Sequence, residues 1–235
     1  MTLVTIAKNE AKRLPLFFRC NSKHVSRTVV LADVDSKDAT LKVARELTEH
    51  VFPVRFQDSF SDLLNLAIRV GFSFGERPVI WLDCDEMILS AKSWGRLFDH
   101  KCQKPVMALR RRRWADLEMT KLVEGGPDWQ TRVFNGNPIP TFHRRLHPYL
   151  KDVEVIRIED GIWIEHFHDS KTKREIEARQ GLYKRLAKLD QIAVEGGQSL
   201  DSFCTCAHAR SNHLGAFGYC KPPFACQICG CGEFR

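Results

Sequence analysis

The chain has 235 residues, of which 43% are hydrophobic and 28% charged, the balance of a globular protein with room for one α/β domain and a small appendage. No apolar run approaches the roughly 20 residues that a transmembrane helix needs, and there is no internal repeat or low-complexity segment. The formal net charge is +7. Arg110 to Arg113 form one run, with Arg132, Arg144 and Arg145 after it, a pattern suited to a nucleotide diphosphate, a nucleic acid or an acidic membrane surface.

Thr2 to Ala7 reads as a first strand. It lacks the basic start and long apolar core of a signal peptide, so a cytoplasmic protein is the expectation. Ala11 to Asn21 reads as a helix whose start moves to about Leu14 if Pro15 occupies its first turn. Thr28 to Ala32 is a second strand. A polar turn from Asp33 to Asp38 follows, in which Ser36 or Asp38 caps a helix running to about Thr48. Val51 to Phe56 is a third strand, Ser61 to Phe74 a helix by its apolar spacing, Val79 to Leu82 a fourth strand and Ala91 to His100 another helix. Short strands are expected at Val106 to Trp114, Gln130 to Phe134, Phe142 to Leu146, Val153 to Ile158 and Ile162 to His166. A charged amphipathic helix from Ser170 to about Leu189 closes the run. Strands that alternate with helices imply βαβ units, so the class is α/β with a mainly parallel sheet and a β-rich, partly antiparallel second half. The expected division is a domain over 1–190, a linker over 191–203 and a Cys/His-rich module over 204–235.

The fourth strand ends in Asp83-Cys84-Asp85-Glu86. Three carboxylates within four residues repel one another unless a cation sits among them, and Mg²⁺ or Mn²⁺ commonly bridges such oxygens to a diphosphate. Carboxyl ends of strands are also where open α/β sheets place ligands. Asp83 and Asp85, two apart on an extended segment, would face one side, with Cys84 packed in the core.

Other polar groups fall at matching places: Ile6-Ala7-Lys8-Asn9-Glu10 after strand one, Asp33-x-Asp35-Ser36-x-Asp38-x-Thr40 after strand two, Asn65-Leu66-Ala67 in the helix before strand four, then Arg132-Val133-Phe134 and His147. This ordered set, spanning roughly residues 3 to 190, resembles the family 2 glycosyltransferases, which have the GT-A fold. The resemblance implies a nucleotide-sugar donor, with a UDP-sugar favoured, and a protein or glycan acceptor. It also implies an exchangeable Mn²⁺ or Mg²⁺. Glu10 and the loop from Ala7 would flank the base, and Asp33 or Asp35 would meet base or ribose. Asp85 would coordinate the metal, Asp83 would meet ribose or a metal-bound water, and Glu86 would orient ligands or contact the donor sugar. Asn65 belongs to the same motif set. Arg132 suits the diphosphate because a guanidinium binds phosphate through two donors. His147 would be a third metal ligand, although Pro148 stands where the family often has Glu, and His166 and His168 are the second option. Inversion at the sugar carbon needs a general base. Asp128, in Gly125-Gly126-Pro127-Asp128-Trp129, is the choice, with Glu124 and Glu118 competing and Trp129 as a sugar platform.

Six of the nine cysteines crowd into residues 204–231: Cys204, Cys206, Cys220, Cys226, Cys229 and Cys231, with His208 and His213 among them. Cys226-x2-Cys229 has zinc-knuckle spacing, and too few large apolar residues are present to build a core there. Structural Zn²⁺ on four to eight of these ligands is the expectation. Two other readings compete. A nucleotidyltransferase usually has a Gly-rich loop after strand one, whereas residues 8–13 contain no glycine. A nucleic-acid-binding zinc protein without catalysis would lean on the arginine run and the tail.

Overall fold

In the computed structural model the described residues are 1–99, 105–123, 127–136, 138–159, 161–167 and 173–195. The tail from 196 to 235 lies outside them, so the expected zinc ligands Cys204, Cys206, His208, His213, Cys220, Cys226, Cys229 and Cys231 do too, as do Glu124 and His168.

The buried runs become strands β1 (Thr2–Ala7), β2 (Arg27–Asp33), β3 (Val51–Val54) and β4 (Val79–Trp81). They alternate with helices α1 (Leu14–Asn21), α2 (Thr40–Leu47) and α3 (Phe60–Ser73). Helix α1 begins at Leu14, with Pro15 in its first turn, where a missing N–H is tolerated. After β5 (Glu86–Met87) and α4 (Ala91–Asp99) come β6 (Val106–Trp114), β7 (Asp128–Phe134), β8 (Phe142–His143), β9 (Tyr149–Leu150), β10 (Val155–Arg157) and β11 (Trp163–Phe167). The last element, α5 (Lys173–Glu195), continues through Gln191 to Glu195, into the segment expected to be a linker. Among the described residues no helix is long and apolar enough to cross a membrane.

The main sheet runs β3-β2-β1-β4-β7-β6-β11-β5, with β10 also paired to β6. Strands β1 to β4 are parallel, β7 is antiparallel to β4 and to β6, and β11 is parallel to β6. This mixed, helix-flanked sheet is the α/β architecture expected. The very short β5 and β9 carry too few residues for any periodicity to reveal them.

Two apolar layers enclose the sheet. One packs Leu14, Phe17, Trp94 and Leu97 from α1 and α4 against Leu3, Ile80 and Leu109. The other packs Leu63, Leu64, Ala67 and Ile68 of α3 against Val4, Leu31 and Val79. Gly71 lets α3 lie close to the strands: a Cβ there would sit 2.6 Å from a methyl of Val79 and 2.9 Å from one of Val4. Asn21, fully buried, ties β5 to α1 by donating to the Glu86 carbonyl and accepting from the Ile88 N–H.

Candidate functional site

The carboxyl ends of β1, β2 and β4 open into a cavity of about 540 Å³. Its floor carries Lys8, Glu10, Asp33, Asp83 and Asp85, and its walls carry Phe56, Phe60, Trp81, Arg111, Arg113, His147, His166, Arg179 and Tyr183. This is the place open α/β sheets reserve for ligands.

The loops after β1 and β2 hold each other. Lys8 donates to Asp33 at 2.8 Å, the Asn9 N–H donates to the Ser36 hydroxyl, and the Lys37 N–H donates to the Asn9 side chain. The Glu10 N–H donates to Thr40 Oγ1 at 2.7 Å and the Ala11 N–H to Asp38. Asn9 takes the left-handed backbone conformation, φ +57°, that this contact requires. The two sequence motifs are therefore one structural unit. Neither Ser36 nor Asp38 is the N-cap of α2, which is Ala39 with no side-chain cap; Asp38, one residue earlier, forms a local turn by accepting from the Thr40 N–H and hydroxyl. Burial raises its pKa, but the hydrogen bonds from Thr40 and Ala11 prevail and hold it below the usual range.

Between the two acids weighed for base or ribose, Asp33 lines the cavity and is buried. Asp35 lies half-exposed, 3.2 Å from Arg55, and is not part of the lining. Ala7 faces the core beside α1, while its neighbours Ile6 and Lys8 face the cavity. Asn65 is structural. Its amide donates to the Phe142 carbonyl at 2.9 Å and accepts from the Phe142 N–H at 2.7 Å, which fastens β8 to α3.

The acidic segment after β4 is a turn rather than an extended stretch, closed by the Glu86 N–H bonding the Asp83 carbonyl at 2.9 Å. Asp83 and Asp85 still share the cavity, and Cys84 is buried against Thr5, as expected for a core thiol. Glu86 departs from expectation. Its carboxylate is fully buried beneath the turn, where it accepts from the Asp83 N–H, from Arg132 at 2.7 Å and from Arg111 at 3.1 Å. It anchors the turn and does not line the cavity. Arg132 is likewise buried, bonded to Glu86 and to Asp83 and stacked 3.8 Å from the centre of the Trp81 ring. It braces the floor from below instead of facing a diphosphate.

Asp128, expected as general base, is bound through both oxygens by Arg111 and lies outside the cavity lining. Burial raises its pKa, but the hydrogen bonds from Arg111 and Gln130 and the charge of Arg111 outweigh that and hold the carboxyl below its usual range. A weakly basic carboxylate at this place positions Arg111.

Arg111 and Arg132 bind the carboxylates of Asp83, Glu86 and Asp128, Arg113 adds its charge toward Asp128, and His166 Nε2 stands 3.5 Å from Asp85 Oδ2. Asp83 keeps 43% of its side-chain surface open, yet it sits low in the concavity. Its carboxyl is raised to about 6, first by desolvation and then, against Arg132, by the charges of Glu86 and Asp85. Among the described residues no group of three or more His, Cys, Asp or Glu side chains is placed to hold a metal ion. Asp83 and Asp85 offer two carboxylates, so Mg²⁺ or Mn²⁺ there would need phosphate and water to complete its shell. Of the histidines named from sequence, His166 stands with the acids. His147 lines another wall, against Tyr183.

Among the lining groups, Arg113 belongs to the basic run already marked in the sequence, whereas Phe56, Phe60, Arg179 and Tyr183 carried no signal there. The Arg113 side chain makes no hydrogen bond or ion pair among the described residues, its Nε is buried, and its guanidinium lines the cavity with its charge reaching Asp128. Strand alternation separates Arg111 and Arg113 from Arg110 and Arg112, a split the run itself contains once β6 is known to be a strand. Phe56 and Phe60, 4.9 Å apart between ring centres, supply a flat apolar wall with Lys8 over Phe56. Arg179 and Tyr183 reach the site from α5, far along the chain.

The sequence matches no protein-family model and no curated protein sequence. Among solved structures, it is similar to S. aureus TarS 1–349, with 12% identity over 71% of this chain and 60% of that one and a TM-score of 0.48. For the same protein in complex with UDP the figures are 11%, 92%, 75% and 0.48. A 4-diphosphocytidyl-2C-methyl-D-erythritol synthase gives 11% identity over 77% of this chain and 97% of that one, with a TM-score of 0.41. With TM-scores below 0.5, none of these likenesses bears on what the cavity takes.

Proposed function

We propose that the protein is a metal-dependent inverting glycosyltransferase that moves a sugar from a nucleotide-diphosphate sugar, a UDP-sugar by preference, to a protein or glycan acceptor. One observation carries the reading. Asp83 and Asp85, with His166 beside Asp85 and the Arg113 guanidinium, share a cavity with the interlocked loops after β1 and β2. An anion-binding group and a cation-binding group side by side suit a diphosphate bridged to a metal. A divalent cation held by Asp83 and Asp85 would supply charge neutralisation for the departing nucleotide diphosphate. Lys8, Glu10 and Asp33 would bind the nucleoside, with Phe56 as a stacking surface. Arg113 would orient the diphosphate through its in-plane donors. Arg111, held by Asp128 and Glu86, would add a fixed positive charge beside it. The Cys/His-rich tail is proposed to hold Zn²⁺ as a structural ion, on the chemistry of its thiolate and imidazole donors.

The test is a thermal-shift screen of nucleotides and nucleotide-sugars with and without Mn²⁺, followed by donor hydrolysis assays on those that stabilise. The reading requires metal-dependent stabilisation by at least one nucleotide-sugar. If none stabilises the protein in the presence of metal, the transferase assignment fails.

A further inference from the structure

Transfer to a hydroxyl needs a group that takes the hydroxyl's proton, and most basic groups of the cavity are committed elsewhere. Among the described lining residues, Asp33 accepts from Lys8 at 2.8 Å and Glu10 pairs with Arg13. Asp83 is bonded to Arg132, and Asp85, the second metal-facing carboxylate, stands 3.5 Å from His166. Cys84 is buried, and desolvation pushes its thiol well up. Tyr183 offers a phenol hydroxyl, an acid rather than a base.

His147 differs from all of these. Its side chain lines the cavity, is exposed, and makes no hydrogen bond or ion pair among the described residues. The loop that carries it is firmly placed. The Phe60 N–H donates to the Arg145 carbonyl at 2.9 Å, and Asn65 holds both backbone groups of Phe142. Both bonds fasten the segment to α3. Within it Arg144 and His147 take left-handed conformations, φ +71° and +53°, which are unfavourable for residues with a Cβ. The imidazole meets the Tyr183 ring edge-on, with centres 5.9 Å apart. His147 therefore stands on the wall shared with α5, whereas Arg113 and His166 stand on β6 and β11. Inversion brings the nucleophile in from the side away from the leaving diphosphate, so a base on a separate wall from the phosphate-facing arginine suits it.

Resting on the transferase reading, we infer that His147 is the general base. An imidazole nitrogen takes the proton of the acceptor hydroxyl as the acceptor oxygen bonds to the anomeric carbon. The electron pair of the breaking anomeric C–O bond leaves with the nucleotide diphosphate, and the imidazolium returns the proton to water. Imidazole suits the task because its ordinary titration lies near neutral pH.

The experiment follows UDP release by the full chain at saturating Mn²⁺, with UDP-glucose, UDP-galactose and UDP-N-acetylglucosamine as donors and water as acceptor. His147→Gly is the main variant, because glycine adopts a positive φ without strain and leaves room for a free base. His147→Asn, which also tolerates that conformation, is the second. Both are expected to keep the wild-type melting curve and the Mn²⁺-dependent stabilisation by UDP. The donor KM should stay within about twofold while kcat falls by about 10² to 10⁴. Added imidazole should restore His147→Gly by about tenfold or more. Near-wild-type turnover in either folded variant, or no rescue by imidazole, overturns the inference. Loss of the stabilisation by UDP also overturns it, since His147 would then be a metal or nucleotide ligand. Those results leave the transferase reading standing. Wild-type protein that is neither stabilised by UDP nor releases it from any donor removes that reading, and the inference with it.

Discussion

Arg111 grips Asp128 through both carboxylate oxygens, at 3.0 and 2.7 Å, while its remaining arm reaches Glu86 at 3.1 Å. The pair fixes a guanidinium at the cavity wall and leaves Asp128 a poor proton acceptor. Asp128→Asn keeps the shape but loses the charge that holds Arg111. The expected result is a KM for the donor raised several-fold with kcat reduced less than about tenfold. A general base removed at this position would instead lower kcat by about 10² to 10⁴. Steady-state kinetics of the variant separates the two.

Asp85→Asn should abolish Mn²⁺-dependent stabilisation by a nucleotide-sugar and cut turnover by about 100-fold or more, because the site loses one of its two metal-facing carboxylates. The melting curve of the variant without nucleotide should match that of the wild type, which separates loss of the site from unfolding.

Below about 6, a proton on Asp83 competes with the cation. Mn²⁺-dependent nucleotide affinity is therefore expected to fall by about tenfold per pH unit as pH drops from 6 to 5, and to level off above 7. Titration calorimetry across that range checks it.

Asp62, at the start of α3, is buried with its Oδ1 lacking a hydrogen-bond partner among the described residues. Burial pushes its carboxyl up to about 7, against a hydrogen bond from Ser59 and the charge of Arg145. The folded value exceeds the unfolded one, so the folded chain keeps a proton that the unfolded chain has released. That contribution is present below pH 4 and is lost as pH rises from about 4 to 7. Asp62→Asn should consequently be more stable than wild type at pH 8, by about 1–3 kcal/mol, and no more stable at pH 4. Denaturant melts at the two pH values decide.

Arg113→Ala should weaken UDP binding in Mn²⁺ by about tenfold or more while leaving uridine binding unaltered, since the guanidinium is assigned to the phosphates. Asn65→Ala makes the contrasting case. It should cost about 1–3 kcal/mol in stability by leaving Phe142's backbone groups unpaired, with nucleotide affinity preserved in the folded fraction.

The order of residues alone is enough to place the strand and helix alternation through Ala91, the span of β6, the pairing of Asp83 with Asp85, and Lys8, Glu10 and Asp33 at strand ends. These follow from local periodicity and from the rule that parallel strands end on one side. Which polar groups face the cavity and which support it depends instead on how the strands are ordered in space. Glu86, Arg132 and Asp128 look like ligand-binding groups in the chain, but each is occupied by a charged side chain on another strand of the sheet. Arg179 and Tyr183 come from α5, and His166 replaces His147 beside Asp85, through a pairing of β11 with β6 that no local pattern records. Burial makes the difference. A charge removed from water must find its partner within the fold, and these partners, 17 to 49 residues apart, are set by strand order, not by local spacing.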